Sequence, residues 1–432
     1  IQKAIDVASS GDKIYVLPGV YSETVDLDKS VTIESDFVRL DSANAKNTSV
    51  IDGNGDPCIS IENISDDINV TVNGFTLKDA SQTSNANQGA IHINNSSNTT
   101  FSLRNSSITQ SANSGDCCGR GGIINIENAR RVEFISVDIH NNGSLTQEAR
   151  FPINMSWVSS GVLFENSKIS SNGFTQWLFQ VYETELTFTN SIIAENTSQW
   201  SDRDIFNLEG NNVSLTMNHT TVYSNDQGQE MGLFNISNGT PTVEINNSIL
   251  DVKEIVNTSE DYTVSNSLLR IGNVFQGNGL NLGSNNIQSN IQLQSGYKLP
   301  ATSPAIGLGD ISLGNIQSDF NGWSRPLPAG TNPDAGAYED SLSIGNLDIV
   351  LTQCAYLLEG TVLNSMNYTT SWKLNGTVVS TDLSYLATAL GTYTFEAVSV
   401  DRNQTITEDI VLSDPLRYDL VYANNNCTSL SG

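Results

Sequence analysis

Along residues 91–245 apolar and polar side chains alternate in a phrase that keeps returning. An apolar-polar-apolar triplet opens it: Ile91-His92-Ile93, Ile124-Asn125-Ile126, Ile153-Asn154-Met155, Phe179-Gln180-Val181, Phe206-Asn207-Leu208 and Phe234-Asn235-Ile236. A second alternating run follows each triplet, among them Phe101-Ser102-Leu103, Val132-Glu133-Phe134, Leu186-Thr187-Phe188 and Val243-Glu244-Ile245. Period two is that of a strand, so the outer members of each run face a core and the middle member faces out. Two positions beyond each second run stands a residue of a nearly all-polar column: Asn105, Ser136, Asn166, Asn190, His219, Asn247 and finally Asn266. The steps between them are 31, 30, 24, 29, 28 and 19 residues, which suits one solenoid coil per phrase with loops of varying length. A second column, Asn142, Asn172, Asn196 and Asn225, lies six residues further on and marks another turn. In a parallel stack such side chains can bond to their counterparts in the coils above and below, so the first column is expected to form an asparagine ladder that includes Asn190.

The flanking segments break this pattern. Ile1 to Ala8 places apolar residues at helical spacing, as a short helix capping the coil end would, and the strand Lys13-Ile14-Tyr15-Val16-Leu17 follows. Near residue 300 the phrase fades into Gly- and Asn-rich sequence. The stretch from Ser303-Pro304-Ala305-Ile306 through Asp319-Phe320-Asn321-Gly322 to Asp334-Ala335-Gly336-Ala337-Tyr338-Glu339 is read as a closing rung. Residues 345–432 change character again, with short strands such as Trp372-Lys373-Leu374 and Tyr393-Thr394-Phe395 separated by turns, which predicts a small antiparallel β-sandwich. Two domains are expected, 1–340 and 345–432, in an all-β chain.

Composition supports that reading. Acidic residues outnumber basic ones 47 to 20, for a formal charge of −27, which repels nucleic acid and anionic membranes and attracts cations such as Ca²⁺. No apolar run approaches a membrane span, and because the pattern is already underway at Ile1, any signal peptide or anchor is expected to have been trimmed away. The five cysteines, Cys58, Cys117, Cys118, Cys354 and Cys427, match no zinc or haem spacing. Cys354 and Cys427 flank the C-terminal module as a disulfide would, and Cys58 could pair with Cys117 or Cys118. N-x-S/T triplets, including those at Asn63, Asn154 and Asn235, are expected by chance in so Asn- and Ser-rich a chain.

The opening Ile1 to Tyr21, the phrase Gly74-Phe75-Thr76-Leu77, the Asn-Ser-x-Ile rungs and the ending Asp334 to Glu339 together resemble secreted bacterial pectin-lyase-like parallel β-helix proteins. The ending is similar to that of Bacteroidetes-type surface proteins in particular. The resemblance covers roughly residues 1–340 and implies a right-handed parallel β-helix, within a superfamily that holds pectate lyases, polygalacturonases and non-catalytic adhesins. Trp372 and the Asn375-Gly376 turn look like the Ig-like or PKD-like modules appended to such proteins.

The resemblance also implies where to seek chemistry: the outward face of one sheet, whose middle triplet members are His92, Asn125, Asn154, Gln180, Asn207 and Asn235. These are mostly amides, whereas a lyase needs a base near a cation-bound carboxylate and glycosidic hydrolysis needs a carboxylate pair. Glu127 and Glu209, two positions further along, are read as solvated charges. Trp200, Asp202, Arg203 and Asp204 form the best local cluster of aromatic, acid and base for a sugar or cation. Trp157, Trp177 and Trp200 recur at 20 and 23 residues, and core packing is favoured over a stacked sugar-binding ladder. Asp52 to Asp56 departs from a Ca²⁺ loop at Pro57 and Asn63 and reads as an ordinary turn, Arg130-Arg131 as a turn cap, and the three histidines as too dispersed for a metal site.

These readings favour a non-enzymatic extracellular β-helix, adhesin-like or structural, with surface glycans or other cell-surface proteins as partners. The rival is a polysaccharide lyase or glycosidase using Asp116, Arg120, Glu148 and Arg150 from loop insertions. A third reading is a self-associating filament subunit.

Overall fold

The computed structural model describes residues 1–36, 48–80, 89–111, 122–143, 152–198, 204–225, 231–257, 262–270, 274–276, 280–300, 302–314, 316–327, 330–340, 343–351, 355–363, 368–399 and 405–413. Contacts between Cα atoms divide the chain into two units. One holds Ile1–Ile291, Gly307–Pro326 and Asn332–Glu339; the other holds Gln292–Ile306, Leu327–Thr331 and Asp340–Gly432.

The first unit is a parallel β-helix in which each complete coil contributes three strands. The triplets form the first sheet, with Ile153–Ser156 beside Phe179–Tyr182 and that beside Asp204–Glu209. The second runs form the second sheet, Val162–Glu165 beside Glu185–Thr189 beside Ser214–Asn218. Two long strands, Ile91–Arg104 and Ile124–Ile135, run from one sheet into the other. The third sheet, eleven parallel strands among the described residues, includes Ser107–Thr109, Lys168–Ser170, Ile192–Ala194 and Ile249–Leu250. Like residues stack in register inside: Phe134, Phe164 and Phe188 lie ring on ring at 4.6 and 5.0 Å, and Phe179 stacks on Phe206 at 4.8 Å. The helix Gln2–Val7 adds Ile5 to this core.

The two polar columns do different jobs. Asn142, Asn172, Asn196 and Asn225 are the buried ladder: the side-chain amides of the first three each donate to the next Oδ1 at 2.9–3.0 Å and also to a strand carbonyl, Ile108, Ile139 or Ile169, and Asn225 donates to Ile193 O at 2.7 Å. The column expected to be the ladder is instead the left-handed residue of the two-residue turn between the second and third sheets. Asn105, Ser136, Asn166, Asn190, His219, Asn247 and Asn266 all have φ between 46° and 56°. Asparagine tolerates that conformation better than most side chains, which accounts for its recurrence. Side-chain bonds between coils join some of these turns, Asn105 to Asn73 at 3.0 Å, Asn247 to His219 at 3.0 Å and Asn285 to Asn266 at 3.1 Å, without running through the whole column. Asn190 donates to Ser318 O, and its Oδ1 has no partner. The serine that follows fills the stacking role: Ser191, Ser248 and Ser267 each accept the N–H of the preceding coil's turn at 3.0–3.3 Å.

The presumed closing rung is not a rung. Among its described residues within this unit, Gly307–Pro326 and Asn332–Glu339 form no strand beyond the isolated bridge Ser318–Ser324. They lie on the outer face of the third sheet. Ala337 N–H donates to Thr221 Oγ1 at 2.9 Å, Gly336 N–H donates to Asn247 O at 2.7 Å, and a Cβ on Gly336 would meet Ile249 at 2.7 Å. The outward row of that sheet registers the cover, because Asp138 and Lys168 are polar and partly exposed whereas Ile192, Ile249 and Leu268 are apolar and buried. A buried ion pair, Arg325 to Glu339 at 3.0 Å, fastens the segment. The Arg325 guanidinium also donates to the carbonyls of Asp334, Gly336 and Ala337, while Asp319 accepts the N–H groups of Asn321, Trp323 and Glu339.

The second unit carries two antiparallel sheets, one of Ser343–Leu351, Tyr356–Leu363 and Ser384–Ala387, the other of Thr377–Ser380, Tyr368–Leu374, Gly391–Ser399 and Thr405–Leu412. They close on Leu358, Trp372, Tyr393 and Phe395, with Gly360 so near the Phe395 ring that a Cβ there would lie 2.6 Å from it. Cys117, Cys118, Cys354 and Cys427 lie outside the described residues. Cys58 is a buried free thiol pushed up to about 12 by burial, not a disulfide partner, and its Sγ donates toward Ile51 O and Lys78 O.

Candidate functional site

The outward face of the first sheet presents two rows, because residues i and i+2 of each strand share a face. One row is Ser60, His92, Asn125, Asn154, Gln180, Asn207 and Asn235; the other is Glu62, Asn94, Glu127, Ser156, Tyr182 and Glu209. Over the coils from Asn154 to Ser237 the face sinks into an open cavity of about 270 Å³, lined by Asn154, Ser156, Trp177, Gln180, Tyr182, Asn207, Glu209 and Ser237. That volume is near the lower end of small-molecule sites, about 300 Å³, and suits a short stretch of a chain-like ligand.

The amides of the first row are chained. Asn235 donates to Asn207 Oδ1 at 2.8 Å, Asn207 to Gln180 Oε1 at 2.8 Å, and Asn154 to Asn125 Oδ1 at 2.7 Å. Asn125 lies 3.4 Å from His92 Nδ1, and His92 Nε2 faces Glu62 at 3.3 Å. The chain is interrupted between Asn154 and Gln180. Gln180 turns its Nε2–H to Glu209 Oε2 at 3.3 Å, and Asn154 Oδ1 is buried without a partner.

Aromatic side chains form the wall. Trp177 and Tyr182 line the cavity, and Trp157 meets Tyr182 edge-on at 4.9 Å. Trp157 is 41% exposed, and Trp177 is half-buried outside the core, so the expectation that these tryptophans plug the core is corrected. The physical reason is position: Trp157 occupies the turn after its strand, with φ 54°, where Asn63, Asn95 and Asn128 stand in earlier coils at φ 48–63°. A bulky residue pays a conformational cost there that asparagine largely avoids.

Of the residues singled out from sequence, Asn154, Gln180 and Asn207 meet in the cavity, and Asn125 and Asn235 bond to its ends. Asp204 heads the strand that carries Asn207 and Glu209, with its carboxylate close over Gly232. Trp200, Asp202 and Arg203 lie outside the described residues, as do Asp116, Arg120, Glu148 and Arg150. Ser156, Tyr182 and Ser237 were not singled out, although the i+2 rule places Ser156 and Tyr182 beside the amides. Glu209, read from sequence as a solvated charge, accepts from Gln180 at the cavity wall.

Among the described residues Glu209 is the only carboxylate lining the cavity. The next in its row, Glu127, is three strand spacings away, about 14 Å. That exceeds the roughly 9.5 Å limit of a hydrolytic pair. Among the described residues no group of three or more His, Cys, Asp or Glu could hold a metal ion, and no helix is long and apolar enough to cross a membrane. Arg130 and Arg131 are engaged in the scaffold, Arg130 with Asp67 at 2.8 Å and Arg131 with Glu133 at 2.8 Å. The turn at Asp52 is closed by the Asn54 N–H on Asp52 Oδ1, and Lys78 pairs with Asp52 at 2.9 Å.

No protein-family model matches the chain, and no curated protein does. Among solved structures, one titled "Crystal structure of pectate lyase Pel9A" aligns over 78% of this chain and 90% of its own, at 14% identity and a TM-score of 0.40. The parallel β-helix itself stands on the strand pairings of this chain.

Proposed function

We propose that this chain is an extracellular polysaccharide-binding β-helix that holds a glycan across the outward face of its first sheet, at the cavity between Asn154 and Glu209, with the C-terminal sheets as a spacer or presenting module. The observation that carries this reading is the pairing of aromatic side chains, Trp177 and Tyr182, with a row of amides along one sheet. Sugars offer apolar ring faces ringed by hydroxyls, and a site that takes them needs both kinds of contact. Rigid parallel strands hold those contacts without ordering a loop on binding.

A second reading, cleavage of the bound chain by a lyase or glycoside hydrolase, is favoured by one feature. Asp202 and Arg203 immediately precede Asp204, and so the strand that brings Asn207 and Glu209 into the cavity. Elimination needs such a base near an acid-bound cation.

The test is affinity electrophoresis of the purified chain in gels of neutral and acidic polysaccharides, paired with an assay for unsaturated products with and without Ca²⁺. Retardation without products supports the binding reading. Products that disappear in Arg203→Ala support the second, and the absence of both retardation and products overturns the glycan reading.

A further inference from the structure

We infer that the glycan taken at this cavity is a neutral one, docked through a hydroxyl that donates to Asn154 Oδ1; this rests on the glycan reading above and narrows its ligand class. The amide inventory gives the reason. Asn154 is 1% exposed, its Nδ2 is committed to Asn125, and its Oδ1 accepts from no group in the protein. Adjacent coils would normally close such a gap by an amide-to-amide bond, as Asn207 and Gln180 do. Here Gln180 is committed elsewhere, its Nε2 to Glu209 and its Oε1 to Asn207. A buried acceptor without a donor is costly, and a ligand hydroxyl is the donor that would satisfy it.

The surroundings select against an acidic sugar. A uronate carboxylate only accepts hydrogen bonds, and here it would meet Asn154 Oδ1 and the Glu209 carboxylate, both acceptors. Among the described residues no Lys, Arg or His lines the cavity to offset its charge, and the row containing Glu209 also holds Glu62 and Glu127. The chain as a whole carries −27, which disfavours approach of a polyanion. A neutral sugar presents hydroxyls that donate as well as accept, with ring faces for Trp177 and Tyr182.

The experiment is calorimetric titration of the full chain with neutral hexasaccharides of glucan, xylan and mannan type and with hexagalacturonate, each with and without Ca²⁺. Asn154→Ala and Trp177→Ala are run alongside, with thermal melts as folding controls. The expected result is binding of at least one neutral chain, weakened on the order of tenfold by each substitution, as losing one good contact would do, and no heat with hexagalacturonate. Hexagalacturonate binding as tight as the neutral chains would overturn the neutral class and leave the glycan reading standing. Neutral binding untouched by Trp177→Ala, a half-buried position outside the core, would put the ligand elsewhere and overturn the assignment to Asn154. Failure of both classes to bind would remove the glycan reading itself.

Discussion

Gln180 gives its amide hydrogen to Glu209 in the next coil and not to Asn154 in the coil before, and this single choice opens the amide row at the cavity floor. Removing the carboxylate should therefore let the row close. Glu209→Ala is expected to leave stability unchanged or raise it by up to about 1 kcal/mol, the net worth of one hydrogen bond to a formerly unpaired acceptor. Glycan affinity should fall in the same variant. Urea denaturation and a ligand titration on one preparation check both halves.

Trp157 separates stability from binding in another way. Its left-handed backbone costs roughly 1 kcal/mol, whereas its edge-on contact with Tyr182 returns about 0.5–1.5 kcal/mol. Trp157→Asn restores the residue used at this turn in earlier coils, so unfolding free energy should move by less than about 1 kcal/mol while the aromatic wall is thinned and glycan affinity drops. A large loss of stability in chemical denaturation would show that Trp157 is structural.

The two asparagine columns should respond oppositely to substitution. Asn172→Ala removes an acceptor for two N–H groups of Asn142 and a donor to Ile139 O, all buried, and should cost at least about 3 kcal/mol. Asn166→Gly keeps the left-handed turn at φ 49° and should cost less than about 1 kcal/mol. Denaturation midpoints of the two variants, compared with the parent, decide it.

That contrast shows what the chain disclosed in advance. Alternation and stacked Phe and Ile fixed the coils, because a period of two leaves few ways to bury one face. The identity of the ladder was hidden because asparagine suits both a buried stack and a left-handed turn, and only backbone angles separate the two uses. Asn154, Gln180 and Asn207 were visible as outward triplet members. Trp177 was visible only as one of three tryptophans at rung-like spacing, for which core packing was favoured over a sugar-binding ladder, because it precedes its strand and falls outside the triplet pattern. The cover over the third sheet went unread because Arg325 and Glu339 meet across irregular chain, although the apolar outward residues Ile192, Ile249 and Leu268 were its signal.

The cover also carries a pH dependence. Burial, and next the neighbouring Arg325, push the His219 imidazole well below its usual 6.5. The folded chain thus keeps His219 neutral where the unfolded chain protonates it. Its contribution is complete above about pH 6.5 and declines as pH falls below that, because the unfolded state then binds the extra proton. Melting temperatures between pH 5 and 7.5 should fall more steeply on acidification for the parent than for His219→Gln. Equal slopes would mean that His219 is not held neutral.

Glu339→Ala tests the same fastening from the other side. It leaves the buried Arg325 guanidinium without its carboxylate and should cost about 3–5 kcal/mol. Hydrogen exchange should show the loss as early opening of residues 319–326 and 332–339, while the Asn172 ladder stays protected.

The most direct test of the central claim is a crystal structure of the chain grown with a neutral oligosaccharide. A sugar ring is expected against Trp177 and Tyr182 with one hydroxyl within hydrogen-bonding distance of Asn154 Oδ1. A sugar bound away from the first sheet, with the space between Asn154 and Glu209 holding solvent alone, would contradict it.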